Sequence, residues 1–167
     1  MESRPKAVFS VPVVFEVNAG VAITDATNNT AIGAYTLVAN TTGASNTAIG
    51  RDALRANTTA DNNTAVGMDA LTANTTGAGN TALGMRALVA NTTASNNVSI
   101  GKDSMYANTT GASNVAVGLS ALQNNTTASN NTAVGYTALF ANTTGANNDA
   151  FGYRALTSNT TGTENTA

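Results

Sequence analysis

Aspartate recurs at one place of a 17-residue period, and these carboxylates are the side chains best suited to binding a metal ion. Asp52 and Asp69 lie 17 residues apart, and Asp103 follows two periods later. A fold that stacks one period on the next would align them in a column, where carboxylate oxygens could hold a divalent cation. Arg51 and Arg86 stand close enough to pair with them instead, and a solvated charged face is the commoner outcome. The sequence therefore predicts no metal site and no cofactor.

Few groups are available for catalysis. The chain contains no histidine and no cysteine, which removes the commonest general base and the thiol nucleophile. Its lysines are Lys6 and Lys102, so a serine–lysine or all-carboxylate arrangement is the remaining kind of site. We therefore predict a non-enzymatic protein without catalytic residues.

The triplet Asn-Thr-Thr occurs once in every period and matches the N-glycosylation sequon. Its asparagines are Asn40, Asn57, Asn74, Asn91, Asn108, Asn125, Asn142 and Asn159. A repeat that imposes asparagine at one turn would stack these side chains in a ladder, which is the interpretation favoured here. Whether any of them carries a glycan stays open.

Threonine pairs follow these asparagines and would stack in two columns, from Thr41 and Thr42 to Thr160 and Thr161. Regular threonine arrays are what ice-binding solenoids present. Adjacent residues cannot both face out of a flat strand, however. Hydrogen bonding at a corner is therefore the preferred interpretation.

Glycine marks the period most strictly, at intervals of 17 residues without any insertion. The column consists of Gly33, Gly50, Gly67, Gly84, Gly101, Gly118, Gly135 and Gly152. Alanine, threonine and asparagine make up just over half of the chain, a bias that often accompanies disorder. Large apolar residues nevertheless keep fixed places, so the period predicts stacked coils.

We number each coil from the asparagine before the glycine phrase, so that Asn46 is position 1 and Gly50 is position 5. Position 4 is always large and apolar: Ile32, Ile49, Val66, Leu83, Ile100, Val117, Val134 and Phe151. Position 9 holds Leu37, Leu54, Leu71, Leu88, Met105, Leu122, Leu139 and Leu156. Because alternate residues of a strand share a face, positions 2 and 4 are predicted to point inward and position 3 outward. Position 9 is predicted to complete the core.

Each coil is predicted to contain two short strands, at positions 2–4 and 8–11. The variable positions 6, 7 and 10 are predicted to be exposed, and their apolar members, among them Tyr136 and Phe140, favour a chain-to-chain interface. Position 15 alternates between glycine and alanine from Gly43 to Gly145. The alternation indicates a 34-residue super-repeat, arising from tandem duplication or from a two-coil geometric unit.

The predicted fold is all-β: a parallel β-solenoid, or β-roll, of 17-residue coils, with about eight regular coils and a degenerate N-terminal coil. Residues 29–167 form the predicted repeat domain. Residues 1–28 form an N-terminal strand and a degenerate capping or assembly coil, in which Val13 aligns with Thr30 after a shift of 17. The apolar residues predicted to serve assembly are Val8, Phe9, Val11, Val13, Phe15 and Val17.

Charge and hydropathy argue against several partners. The net charge of −2 offers no electrostatic basis for binding nucleic acid. No run of 18 apolar residues occurs, so no membrane span is predicted. Residues 7–17 are interrupted by Pro12 and Glu16, make a poor signal peptide, and are interpreted as mature structure.

The phrase N-T-A-V-G-x-x-A-L-x-A-N-T-T-G, at residues 63–77 and 131–145, resembles two groups of repeat proteins. Head repeats of trimeric autotransporter adhesins contain N-S-V-A-I-G, which is similar to residues 46–50. Phage tail-fibre-like proteins contain N-T-A-V-G-Y-x-A-L, which residues 131–139 match closely. The resemblance covers residues 28–167. It implies a parallel β-roll, homotrimeric in the adhesins, displayed on a cell or virion surface.

These observations predict a structural fibre protein, a self-assembling filament or adhesin segment that is extracellular or on a cell or virion surface. Its expected partners are further copies of itself, in a homo-oligomer or end-to-end polymer, and a host surface or extracellular matrix. Residues 165–167 begin a further coil, so we expect the N-terminal strand of one subunit to complete the C-terminal coil of the next by strand addition. The alternative function is a ligand-binding solenoid that uses threonine or aromatic columns to bind ice or surface glycans. Handedness, and the choice between trimer and filament, stay open.

Overall fold

The structure, a computed structural model, describes the backbone of residues 13–15 and all of residues 26–167. Within these residues nine short strands form one parallel sheet in chain order. They are β1 (Val13–Phe15), β2 (Thr30–Ile32), β3 (Thr47–Ile49), β4 (Thr64–Val66), β5 (Thr81–Leu83), β6 (Val98–Ile100), β7 (Val115–Val117), β8 (Thr132–Val134) and β9 (Asp149–Phe151). The predicted all-β parallel solenoid is confirmed.

Each strand pairs with the strand one period later, so that Ile49 lies opposite Val66. The same register places Val13 of β1 opposite Thr30 of β2, as the 17-residue alignment predicts. Equivalent positions therefore stack directly above one another, and like side chains form columns along the solenoid. Four of the residues predicted to serve assembly lie outside the described part of the chain: Val8, Phe9, Val11 and Val17.

The interior is narrower than the sequence predicts, and the two faces of the strands are reversed. Position 3, predicted to point outward, is fully buried: Ala31, Ala48, Ala65, Ala82, Ser99, Ala116, Ala133 and Ala150. Position 4 is partly exposed instead, and the exposed fraction reaches 45% at Leu83 and 59% at Phe151. The prediction of a core column is therefore wrong for Ile32, Ile49, Val66, Leu83, Ile100, Val117, Val134 and Phe151.

The two strand faces are reversed because the interior of a short coil has room for only one large side chain. The side chain at position 9 fills it, and this column is fully buried from Leu37 to Leu139, with Leu156 partly buried. Small residues at positions 3 and 8, such as Ala48 and Ala53, pack around the leucine and have no exposed surface. A second large side chain in each coil would overfill an interior that is already closely packed.

The predicted second strand at positions 8–11 is also wrong, because positions 6–11 form turns. The residue at position 9 adopts a left-handed backbone, with φ from 46° at Met105 to 55° at Leu88. This conformation costs a residue with a side chain about 1–2 kcal/mol. Burial of a leucine is worth about 1.5–3 kcal/mol, and Leu54 N also donates to Ala70 O in the next coil at 3.1 Å.

Position 5 must be glycine on two grounds. Its φ lies between 123° at Gly33 and 139° at Gly135, where residues with side chains are strained. A Cβ on Gly33 would also lie 2.8 Å from the carbonyl carbon of Gly50 in the next coil. The turn that ends each strand therefore brings the backbones of neighbouring coils too close for any side chain.

The 34-residue alternation between glycine and alanine at position 15 corresponds to a two-coil unit at the corner that contains this position. Asp61 Oδ1 accepts a hydrogen bond from Ala44 N at 2.7 Å, and Ser95 Oγ accepts one from Ala78 N at 3.0 Å. The coil that donates carries glycine at position 15, where a Cβ on Gly43 would collide with the backbone carbonyl of the next coil. Each coil with glycine at position 15 thus makes a tight contact with the coil that follows it. This contact gives a physical basis to the interpretation of the alternation as a two-coil geometric unit.

Candidate functional surfaces

The asparagines predicted as a turn column form a buried ladder. Asn91 has no exposed surface, and its Nδ2 donates to Asn74 Oδ1 at 2.9 Å and to Ala94 O at 3.0 Å. Its Oδ1 accepts from Asn108 Nδ2 at 3.3 Å. These amides hold neighbouring coils together, so a glycan on a sequon nitrogen would have to break the ladder.

A second asparagine ladder runs at position 1, where Asn97 N donates to Asn80 Oδ1 at 3.0 Å. The threonines at position 13 form a third, since Thr75 Oγ1 donates to Thr92 O at 3.0 Å in the next coil. The threonine pairs are thus part of a hydrogen-bonded corner.

We call positions 2 and 4 of the strands the outer sheet face. Its position-2 members are Thr30, Thr47, Thr64, Thr81, Val98, Val115, Thr132 and Asp149, and the reversed position-4 column supplies the rest. Most of these side chains are half-buried, and Leu83, Asp149 and Phe151 are exposed. The face presents two regular rows of β-branched and apolar side chains, repeated at the strand spacing of about 4.8 Å, with Asp149 as its one charge.

We call positions 6, 7 and 10 the corner face, and the part of it around residues 51–106 is charged. Arg86 and Asp103 make a two-point ion pair, with Nε 2.8 Å from Oδ1 and Nη2 donating to Oδ2 at 2.9 Å. This hydrogen bond and the charge of Asp103 raise the pKa of Arg86. The guanidinium also lies 5.3 Å from the ring centre of Tyr106.

The other aspartates of the predicted column are paired in a similar way. Asp69 lies 3.8 Å from Arg51, and Asp52 lies 3.6 Å from Arg51 and 3.7 Å from Arg55. No cluster of three or more acidic side chains able to hold a metal ion occurs within the described residues. The aspartates on this part of the corner face are therefore paired with arginines.

The part of the corner face around residues 120–157 is aromatic and forms a shallow open groove of about 370 Å³. Tyr136 and Tyr153 line it as a stacked pair, with ring centres 5.3 Å apart and ring planes 9° apart. Phe140 and Arg154 line it as well, together with threonine and serine hydroxyls. The groove combines apolar contact area with hydrogen-bond donors and one cation.

Sequence reasoning places Tyr136 and Phe140 on the exposed surface but does not foresee the groove that they share. It misses the outer sheet face altogether, because hydrophobicity predicts that the large apolar residues lie in the core. One signal in the sequence could have identified this face. Position 3 never exceeds serine in size, whereas position 4 ranges from valine to phenylalanine. A closely packed interior tolerates little change in volume, so the invariant small position is the better candidate for burial.

Comparison of the chain with protein-family models, curated proteins and solved structures found no match in any of the three. Among the described residues, no helix has the length and apolar character needed to cross a bilayer.

Proposed function

We propose that this chain is the body of a non-enzymatic surface fibre or adhesin and that it associates with further copies of itself through the outer sheet face. The observation that carries the proposal is the outward direction of position 4. This places side chains such as Leu83, exposed by 45%, in a regular apolar row. Exposed apolar rows of this kind are typical of protein interfaces.

A second copy is the partner that fits this face best, because it has the same spacing. The rows repeat once per coil, at about 4.8 Å, and only a partner with an equal repeat can stay in register over many coils. Little charge opposes the contact, since Asp149 is the one ionisable residue at positions 2 and 4. Extracellular, cell-surface or virion-surface display belongs to the same proposal, and so does contact with a host surface or extracellular matrix.

The shape of the coil stack supports a mechanical role. Nine parallel strands rise by about 4.8 Å each, so the described stack is roughly 38 Å long. Hydrogen bonds of the backbone and three side-chain ladders join each coil to the next. Stacked-repeat proteins gain stability mainly from such nearest-neighbour contacts, and this lets them serve as rigid spacers of adjustable length.

Val117→Lys tests this proposal, with Gln123→Lys as the matched control. Val117 lies at position 4 of the outer sheet face, and Gln123 lies at position 10 of the corner face; both are half-buried. We expect the unsubstituted chain to be oligomeric in light scattering after size-exclusion chromatography. Val117→Lys should shift it to the monomer without changing the circular dichroism spectrum, whereas Gln123→Lys should leave the oligomer intact. A monomeric unsubstituted chain, or equal effects of both lysines, would refute the assignment of the interface.

Ice binding is a second candidate function. The threonines that favour it lie on the outer sheet face and not at the Asn-Thr-Thr corner. Threonines such as Thr47 and Thr64 are half-buried and form a regular row beside the aliphatic residues at position 4. A regular and nearly uncharged surface of this kind suits ordered water. Thermal hysteresis by a monomeric chain, abolished by Thr64→Lys, would support ice binding over self-association.

A further inference from the structure

We propose that the aromatic groove at residues 120–157 binds an acidic sugar, with Arg154 contacting the carboxylate of the sugar. This inference does not depend on the proposed self-association. The groove belongs to the corner face, at positions 6, 7 and 10, whereas the association surface consists of positions 2 and 4. Either surface can therefore act without the other.

Charge is the first argument. Arg51, Arg55 and Arg86 each form an ion pair with an aspartate on the charged part of the corner face. Arg154 lines the groove together with aromatic and hydroxyl-bearing side chains. The lining contains no carboxylate. A guanidinium in these surroundings is available to bind an anionic group from solution through charge-assisted hydrogen bonds.

The hydroxyl groups are the second argument. Ser120, Thr137 and Thr157 line the groove together with the two tyrosines. Hydroxyls both donate and accept hydrogen bonds, so they match the hydroxyl groups of a sugar better than they match a simple anion. A lining of this kind favours a ligand with many hydroxyls and one negative charge.

The aromatic rings are the third argument. Tyr136 and Tyr153 are exposed by 46% and 74%, and the coil repeat holds them in a parallel stack. Phe140 adds further apolar area to the lining. Rigid aromatic side chains provide contact area for the C–H groups of a sugar ring with little loss of conformational freedom. The volume of about 370 Å³ lies in the range of small-molecule sites.

Glucuronic acid and N-acetylneuraminic acid serve as probes, because both carry a carboxylate on a hydroxyl-rich ring. Glucose is the neutral counterpart of the first. Ligand-observed saturation-transfer NMR would detect binding to the full chain, and titration would give the dissociation constant. We expect saturable binding of at least one acidic sugar and binding of glucose that is weaker by about tenfold or more, as expected for loss of one charge-assisted contact.

Arg154→Gln should weaken binding of the acidic sugar by about tenfold or more, and should leave the weak binding of glucose unchanged. Arg55→Gln is the control, because Arg55 lies on the charged part of the corner face. Circular dichroism would verify the fold of each variant.

Three results would overturn the proposal. The first is no saturable binding of either acidic sugar, and the second is equal binding of glucose and glucuronic acid. The third is complete displacement of the sugar by an equal concentration of inorganic sulfate, which would reveal a simple anion site at Arg154. A monomeric unsubstituted chain that still binds the sugar would refute the proposed function alone, so the two proposals fail separately.

Discussion

Asn91→Asp replaces one buried amide nitrogen of the asparagine ladder with an oxygen and leaves the size of the side chain almost unchanged. Asn91 Nδ2 donates to Asn74 Oδ1 at 2.9 Å and to Ala94 O at 3.0 Å. After the substitution both acceptors would face a carboxylate oxygen. The variant therefore tests whether the ladder stabilises the stack of coils or merely accompanies it.

The expected loss follows from the two hydrogen bonds. A buried acceptor left without a donor costs about 1–3 kcal/mol. Ala94 O keeps a second donor, since Asn80 Nδ2 lies 2.9 Å away, so the cost is concentrated at Asn74. With about 1 kcal/mol added for the lost hydrogen bond to Ala94 O, we expect a loss of about 2–4 kcal/mol in the free energy of unfolding. For a chain of this length, that corresponds to a melting temperature lower by roughly 5–15 °C.

The loss should depend on pH in a defined direction. Burial raises the pKa of the introduced carboxyl group in the folded state above its value in the unfolded state. The variant is therefore least destabilised at acidic pH, where the group is protonated and can donate one hydrogen bond. Its destabilisation grows as the pH rises through the folded-state pKa.

Thermal melts followed by circular dichroism, from neutral to acidic pH, would measure both effects against the unsubstituted chain at each pH. Asn96→Asp is the matched control, because Asn96 is exposed and has a φ of 61°, a conformation that aspartate tolerates. Equal melting temperatures for the two variants, or a loss at Asn91 that does not change with pH, would refute the structural role assigned to the ladder.

Three further predictions concern the core, the corner and the surface. Leu88→Asp should unfold the chain in circular dichroism melts, because it places a charge in a fully buried column, whereas Thr72→Asp at half-buried position 10 should be mild. Gly43→Ala should cost about 1–3 kcal/mol in chemical denaturation because its Cβ would collide with the next coil, whereas Ala60→Gly should cost no more than about 1 kcal/mol. Arg86→Met should lower the stability measured by chemical denaturation, and by less in high salt, since it breaks an ion pair in which the Arg86 side chain is 40% exposed and the Asp103 side chain 13% exposed.

The period alone was enough to predict the class of fold and the strand register. Glycine at position 5 recurs every 17 residues, and Ile49 pairs with Val66 as this spacing requires. The position-9 residues are buried as expected, because Leu88 and its equivalents have no other place in the coil. These features depend on which residues stack above one another, and a strict period states that directly.

Hydrophobicity does not show which face of the strand points inward, because positions 3 and 4 are both apolar. Alanine at position 3 and isoleucine at position 4 are each compatible with burial, and the larger residue was the natural choice for a core. The choice depends on the width of the coil, which is set by turns that hold Leu54 and its equivalents at positive φ. No intrinsic propensity favours leucine in that conformation, so neither the turn nor the narrow interior could be foreseen.

Different positions of the coil have different structural roles, and this explains how one fold can present several surface chemistries. Positions 1, 12 and 13 form ladders, position 5 is limited to glycine by a close backbone approach, and positions 3, 8 and 9 fill the interior. Positions 6, 7 and 10 take part in none of the three ladders. Position 7 has a positive φ in every coil, for example 58° at Asp103, whereas substitutions at surface positions without such a constraint usually change stability by no more than about 0.5 kcal/mol.

The corner face can therefore change from one coil to the next while the stack stays intact. Its charged part contains paired aspartates and arginines, such as Asp103 and Arg86. Its aromatic part, a few coils further along, contains Tyr136 and Tyr153 in a groove with Arg154. Because each coil contacts mainly its neighbours, position along the solenoid determines which chemistry the surface presents. Selection on binding could then act on single coils of the corner face without disturbing the ladders that hold the coils together.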